Sequence, residues 1–477
     1  MTDLPSNPCD ATLTDIAAAI AAGQVSSSEV TEASIERLKS YSDALNLLAG
    51  IDEGDAMRQA KEADANPGRQ PLSGVPLAHK DMFYRPGRMS ECGSKIRKGF
   101  VPDQLSGALK RLDNAGALDI ARLNMVEFAL GVTGHNEITG NVRNPWNPLH
   151  ITGGSSSASG AAVAARATFG ALGSDTGGSV RLPAACCGVV GMKVTMGRVS
   201  RFGAMPLSHT LDTIGPLTRT VTDNALMLSV IAGYDADDAS SANVAVGDYM
   251  RGIEEGAKGL KIGLPTSHFM EGITDELAAR FQDAVEVMKK AGAEIVDVDL
   301  PDAIQYSNAL TSLITATEGA AIHQHWMETR GDEYGKQTFA RFAGGFATPA
   351  TRYVQALNLR TALLAEFNEM VFGKVDALMT PMMVMDIPTI KETDVGDGPN
   401  AAAMLQRVGH CSRPVNFLGL PGLSMPTGFA NSGLPSSIQF VGRPFDEATL
   451  YRLGRAYERE TEWFKTAPDP GAWGKVA

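Results

Sequence analysis

Two glycine- and serine-rich stretches, 153–160 (GGSSSASG) and 173–184 (GSDTGGSVRLPA), constrain this chain more than any other feature. Glycine carries no Cβ, so such stretches reach φ/ψ values closed to other residues and can turn successive N–H groups toward one point. In 175–179 (DTGGS) the glycines directly precede Ser179. If the Ser179 hydroxyl attacks a carbonyl, the N–H groups of Thr176, Gly177 and Gly178, with that of Ser179, are the candidate oxyanion donors. Losing one such donor costs roughly 3–4 kcal/mol of transition-state stabilisation. Between the stretches runs an alanine-rich segment, 157–170, uncharged except for Arg166. It is predicted to form a helix whose small side chains pack closely on a sheet. Its N-terminus, with unpaired N–H groups and partial positive charge, would lie beside the first loop.

The remaining pattern is α/β. Residues 1–65 read as an N-terminal helical cover: TLTDIAAAIAAG opens on Thr and Asp and stops at Gly23, and SSSEVTEASIERLKSY opens on capping serines. The apolar run 74–79 (GVPLAH), bounded by Gly and Pro, predicts a buried strand that delivers Lys80 and Asp81. From 260 to 301 the order is strand (LKIGLP), helix and strand (EIVDVDL). Thr274 is the N-cap, and Leu277, Phe281, Val285 and Met288 share one helix face. This predicts a βα unit entering a parallel strand. Two more strands are expected at 422–426 and 436–442 and a helix at 446–460. Glycine and proline are spread evenly, with no linker and no repeat, so 1–477 is expected to be a single α/β domain. The segments 244–258 and 342–360 are expected as peripheral elaborations.

Hydrophobic residues make up 44% and charged residues 20%, enough apolar material for a large core. A net charge of −12 argues against nucleic acid as a partner, because phosphate binding needs a basic surface. No run approaches the roughly 18 apolar residues of a membrane span, and 16–22 follows Asp10 and Asp15 rather than a basic segment, unlike a secretory signal. Five cysteines, without a CxxC pair, fit a reduced, cytoplasmic setting. Adjacent Cys186 and Cys187 read as small core residues, the methionines of 379–385 (MTPMMVM) as core filler, and His323 with His325 as a helix-surface feature. With no HExxH, EF-hand or GxxxxGK[ST] pattern, neither metal nor organic cofactor is expected.

Lys80 follows an apolar run, where burial lowers an amine pKa from about 10.4 and yields a neutral base. Lys80 and Ser155 are 75 residues apart, and Ser155 and Ser179 a further 24. With GVPLAHKD, GGSSSASG and DTGGSVRLPA at these offsets, the chain resembles the amidase signature family over nearly its whole length. Further matches are 127–129 (EFA), 143–146 (RNPW), 197–200 (GRVS), 211–216 (LDTIGP), 376–378 (DAL) with 380–381 (TP), 419–422 (GLPG) and 439–444 (QFVGRP). The resemblance implies a large mixed β-sheet covered by helices on both sides, with the active site in a cleft at its edge. It also implies a triad in which Ser179 is the nucleophile, Ser155, after a cis peptide, the bridge, and neutral Lys80 the base. Three departures bear on pocket shape: Ser157 and Ala158 where the family commonly has two glycines, His79 where an apolar residue is usual, and 193–195 (KVT) in place of Lys-Pro-Thr.

A Ser-His-Asp site could combine Ser179 with His79 or His209 and Asp81 or Asp212, but no GxSxG elbow occurs. His79 beside Lys80 on a strand points to the opposite face and reads as a packed or hydrogen-bonded histidine. Asp175 and Arg181 flank Ser179 as a candidate bracing pair. Three functions follow. The favoured one is a free-standing hydrolase of small-molecule carboxamides, small neutral or aryl amides first and carbamates, urethanes and esters behind. With no nucleotide loop, an acidic balance and no evident cationic cluster, it is expected to need no nucleic acid, membrane or partner chain. Oligomeric state stays open, a homodimer included. The alternatives are the glutaminase (A) subunit of a tRNA-dependent amidotransferase, and an inactive family-like binding subunit, which retention of the whole triad disfavours.

Overall fold

In the computed structural model, residues 4–394, 396 and 399–474 are described. Among them eleven strands form: β1 (Leu48–Ile51), β2 (Pro76–Lys80), β3 (Leu118–Leu123), β4 (Gly170–Asp175), β5 (Val190–Lys193), β6 (Thr213–Thr218), β7 (Lys261–Pro265), β8 (Glu294–Val298), β9 (Ala377–Pro381), β10 (Gly422–Phe429) and β11 (Pro435–Gly442). Eight build one sheet in the order β4-β6-β5-β10-β11-β9-β7-β8; the other three form a small sheet, β1-β3-β2. The large sheet is antiparallel from β4 to β9 and parallel across β9, β7 and β8. The parallel edge is the βα unit predicted for 260–301, with Leu277, Phe281, Val285 and Met288 buried on the face of helix Asp275–Lys290.

Strand alternation places successive side chains on opposite faces, and both faces are apolar here. In β4, Ala171 packs with helices Ser157–Ala164 and Arg181–Cys187, whereas Leu172 joins the opposite core with helix Val221–Ile231 and helix Glu447–Thr461. Helices therefore cover both sides, as the resemblance implies. On the first face the approach is close because the side chains are small: a Cβ on Gly160 would lie 2.9 Å from both Cβ and the carbonyl oxygen of Pro183.

The N-terminal segment carries helices Leu13–Ala21, Ser27–Leu45 and Glu53–Ala65. A capping box starts the second: Glu29 N–H donates to Ser26 Oγ (3.1 Å) and Ser26 N–H to Glu29 Oε2 (2.8 Å). Strand β1, pairing antiparallel with β3, is not announced in the sequence; its four residues are too few to display a period. Two further differences arise from tertiary context. The helix expected over 157–170 ends at Ala164, where Arg166 turns to φ 56° and leads into β4. Residues 342–360 span parts of helices Lys336–Phe346 and Ala350–Phe367, which pack on the long helix Ser307–Arg330; Phe342, Gly345 and Ala356 are buried while much of the segment is exposed. All five cysteines are buried and unpaired. Among the described residues no helix is long and apolar enough to cross a membrane.

Candidate active site

Strand β2 ends on Lys80, which is 1% exposed. Its Nζ donates to Ser155 Oγ and to Ser174 Oγ, each at 2.8 Å. Burial is the dominant influence on this amine and pushes its pKa down to about 7, against a smaller upward pull from Asp212 and Asp175. Lys80 therefore exchanges a proton near neutrality. One residue earlier the strand turns His79 the other way, where its Nδ1 accepts from Leu172 N–H at 3.1 Å, and burial pushes its pKa down to about 4. That imidazole is neutral and committed to the backbone, away from Ser179.

Ser155 follows the cis peptide Gly154–Ser155 and lies just ahead of helix Ser157–Ala164. Its carbonyl accepts from Val126 N–H at 3.2 Å, and the next residue ties the two serine loops together, Ser156 N–H donating to Ser179 O at 3.2 Å. Among the described residues the Ser179 hydroxyl makes no hydrogen bond, and it faces a cavity of about 370 Å³. Among the described residues, Ser155 Oγ and Ser179 Oγ are not hydrogen-bonded to one another; catalytic hydrogen bonds are often long or unformed before substrate binds.

The turn after β4 is organised by Asp175. Its carboxylate accepts from the N–H groups of Gly178 (2.8 Å), Val180 (3.1 Å) and Arg181 (3.3 Å), from Arg181 Nε (3.1 Å) and from Asn416 Nδ2 (2.7 Å). Arg181, fully buried, also donates to Gln439 Oε1 (2.9 Å) and Asn416 Oδ1 (2.6 Å). Burial alone would raise the Asp175 pKa, but Arg181 at contact holds the carboxyl well below the usual carboxylate range. The network pins the turn to β11 and to helix Arg413–Phe417. It also changes the set of oxyanion donors: Gly178, at φ 121°, gives its N–H to Asp175, so it is not free for a substrate oxygen. The N–H groups of Thr176, Gly177 and Ser179 make no hydrogen bond among the described residues.

The cavity above Ser179 is walled by Leu130, Val132, Leu207 and Leu405, by the hydroxyl side of helix Ser307–Arg330 (Thr311, Ser312, Thr315), and by Arg341 and Arg413. These arginines form a cationic pair that was not evident in the sequence; they lie 72 residues apart, and no local motif announces either. Ser174, the second partner of Lys80, also escapes the motif reading, although it stands beside Asp175 in the same stretch. None of the other histidine and acid candidates is hydrogen-bonded to Ser179 Oγ among the described residues. His209 lines a separate pocket, Asp81 pairs with Arg122 (2.9 Å), and Asp212 accepts from Thr176 Oγ1 (2.5 Å). His323 is buried against Phe342 and bonded to Tyr334, not on a helix surface. Met379, Met382 and Met383 are core residues outside the Ser179 cavity.

The Amidase family profile matches residues 29–451. The A subunit of glutamyl-tRNA(Gln) amidotransferase from Myxococcus xanthus (strain DK1622) is 38% identical over 96% of this chain and 98% of its own length. The crystal structure of the corresponding subunit from Thermotoga maritima superposes with a TM-score of 0.83 at 30% identity, covering 98% of this chain and 99% of that one. A solved structure described as a vestigial protein complex bearing on the origins of an s-triazine catabolic enzyme superposes at 0.88, also at 30% identity, over 94% and 98%. The expectation of a small-molecule amide substrate without nucleic acid or partner does not stand, because relatives alike over nearly their whole length are named as subunits of an enzyme of glutamyl-tRNA(Gln). Fold, family profile and near-full-length relatives agree: this chain belongs to the amidase signature family.

Proposed function

We propose that this chain is the amide-hydrolysing subunit of an amidotransferase assembly, releasing ammonia from the side-chain carboxamide of glutamine for transfer to glutamyl-tRNA. The observation that carries the reading is 38% identity to such a subunit over 98% of that subunit's length. The site supports the chemistry. Ser179 Oγ attacks the amide carbon while its proton passes through Ser155 Oγ to the neutral amine of Lys80. The developing oxyanion meets the free N–H groups of Thr176 and Gly177, with that of Ser179 beside them. On collapse of the tetrahedral intermediate the proton returns by the same path to the departing nitrogen, giving ammonia and an acyl-enzyme that water then cleaves. Closing the Ser155–Ser179 leg is the step that substrate must bring about.

The test is ammonia release from glutamine by the purified chain, alone and with partner subunits and glutamyl-tRNA present. Release in the complete assembly, abolished by Ser179→Ala, is the expected result. Hydrolysis of a neutral arylamide, with no ammonia from glutamine in the complete assembly, would overturn the reading.

A further inference from the structure

Arg413 is 5% exposed, yet its guanidinium is incompletely used: Nη2 donates to Leu405 O at 3.1 Å, and Nη1 has no partner among the described residues. The side chain lines the Ser179 cavity and passes the oxyanion turn, its Cγ 3.9 Å from where a Cβ on Gly177 would sit. Arg341, in the same cavity, donates one bond to Leu130 O at 2.6 Å. Burial, and for Arg413 the neighbouring positive charge of Arg341 as well, lower both pKa values to about 10, so both groups stay charged at neutral pH. No described carboxylate offsets either charge. Thr311, Ser312 and Thr315 on the opposing helix donate to carbonyls of their own helix, and their oxygens accept nothing from Nη1.

A buried guanidinium cannot escape its desolvation by losing a proton, as a lysine can, and is stabilised only by an anion or by acceptors at contact. The fork of a guanidinium matches a carboxylate in charge and spacing. We propose that Arg413, with Arg341 beside it, is the specificity residue that binds a carboxylate on the acyl portion of the substrate. The inference rests on the glutaminase reading in one respect: with ammonia as the leaving group, every other substituent is on the acyl side. The carboxylate takes the unpartnered Nη1 of Arg413 and holds the carbonyl carbon at Ser179, while the apolar wall of Leu130, Val132 and Leu207 accommodates the methylenes between. The chain thus selects carboxylate-bearing amides over neutral ones of equal length.

The experiment measures how well an amide protects Ser179 from labelling by a fluorophosphonate probe, so it needs no turnover. Glutaramate and pentanamide have the same chain length and differ in the carboxylate. In the unaltered protein glutaramate should protect at a concentration roughly tenfold or more below that of pentanamide, the scale of a charged hydrogen bond. In Arg413→Met the ratio should fall toward one, and Arg413→Lys should restore part of it. Because each ratio is taken within one variant that still labels, a general loss of stability does not move it. A ratio near one in the unaltered protein, or an unchanged ratio in Arg413→Met, overturns the proposal. Strong protection by glutaramate without ammonia release from glutamine in the complete assembly would remove the glutaminase reading and leave the carboxylate site standing.

Discussion

At the scale of single residues, the account turns on the protonation state of Lys80. Its pKa is depressed to about 7, so the neutral base is gained as pH rises through that value. The kcat/KM for an amide should climb about tenfold per unit below pH 7 and level off above, since this parameter reports the free enzyme's groups. Lys80→Arg, which cannot deprotonate, should lose roughly 10²–10⁴-fold, as should Lys80→Met. A flat profile from acid to alkaline pH, or activity retained in Lys80→Arg, would make the lysine a positional group. Ser155→Ala should lower amide hydrolysis far more than that of an activated ester, whose leaving group needs no proton; equal losses would deny Ser155 its part in the relay. Asp175→Asn leaves the buried guanidinium of Arg181 without its counter-ion. A stability loss of about 3–5 kcal/mol in urea titration is expected, on the scale of breaking buried pairs.

Among the elements, those that present the site were legible in the sequence because each is announced locally. Bounding Gly and Pro mark β2, the alanine run marks helix Ser157–Ala164, and serine with Glu29 three positions on marks the capping box. Ser26→Ala should cost about 1 kcal/mol, read from the same titration. Gly160→Val drives a side chain into Pro183 and should destabilise by about 1–3 kcal/mol through overpacking; unchanged stability would mean the two helices separate freely. What was illegible depends on partners distant in the chain or on how a loop folds back. Gly178 looks like an oxyanion donor until Asp175, three residues before it, turns to take its N–H. Arg341 and Arg413 meet only because helix Lys336–Phe346 and the start of helix Arg413–Phe417 converge on one cavity. Residues 342–360 look peripheral in sequence because they carry no catalytic motif, although their helices pack on helix Ser307–Arg330, which walls the cavity.

For the whole molecule, the mixed sheet covered on both faces follows from strands apolar on both sides and from the parallel β7–β8 unit at one edge. The expectation about nucleic acid failed for a different reason. A net charge of −12 is a sum over the whole chain, and it says nothing of the charge that partner chains would bring to an assembly. The apolar composition was likewise silent on Arg341 and Arg413, which stand together in one cavity.

The claim that supports the rest is an acyl-enzyme on Ser179, and trapping it is the most direct measurement. A slowly deacylating substrate, followed by trypsin and mass spectrometry, separates the candidates, because Ser179 falls in peptide 167–181 and Ser155 and Ser156 in peptide 144–166. The added acyl mass is expected on 167–181, absent in Ser179→Ala and strongly reduced in Lys80→Met. The same mass on 144–166, with 167–181 unmodified, would contradict it.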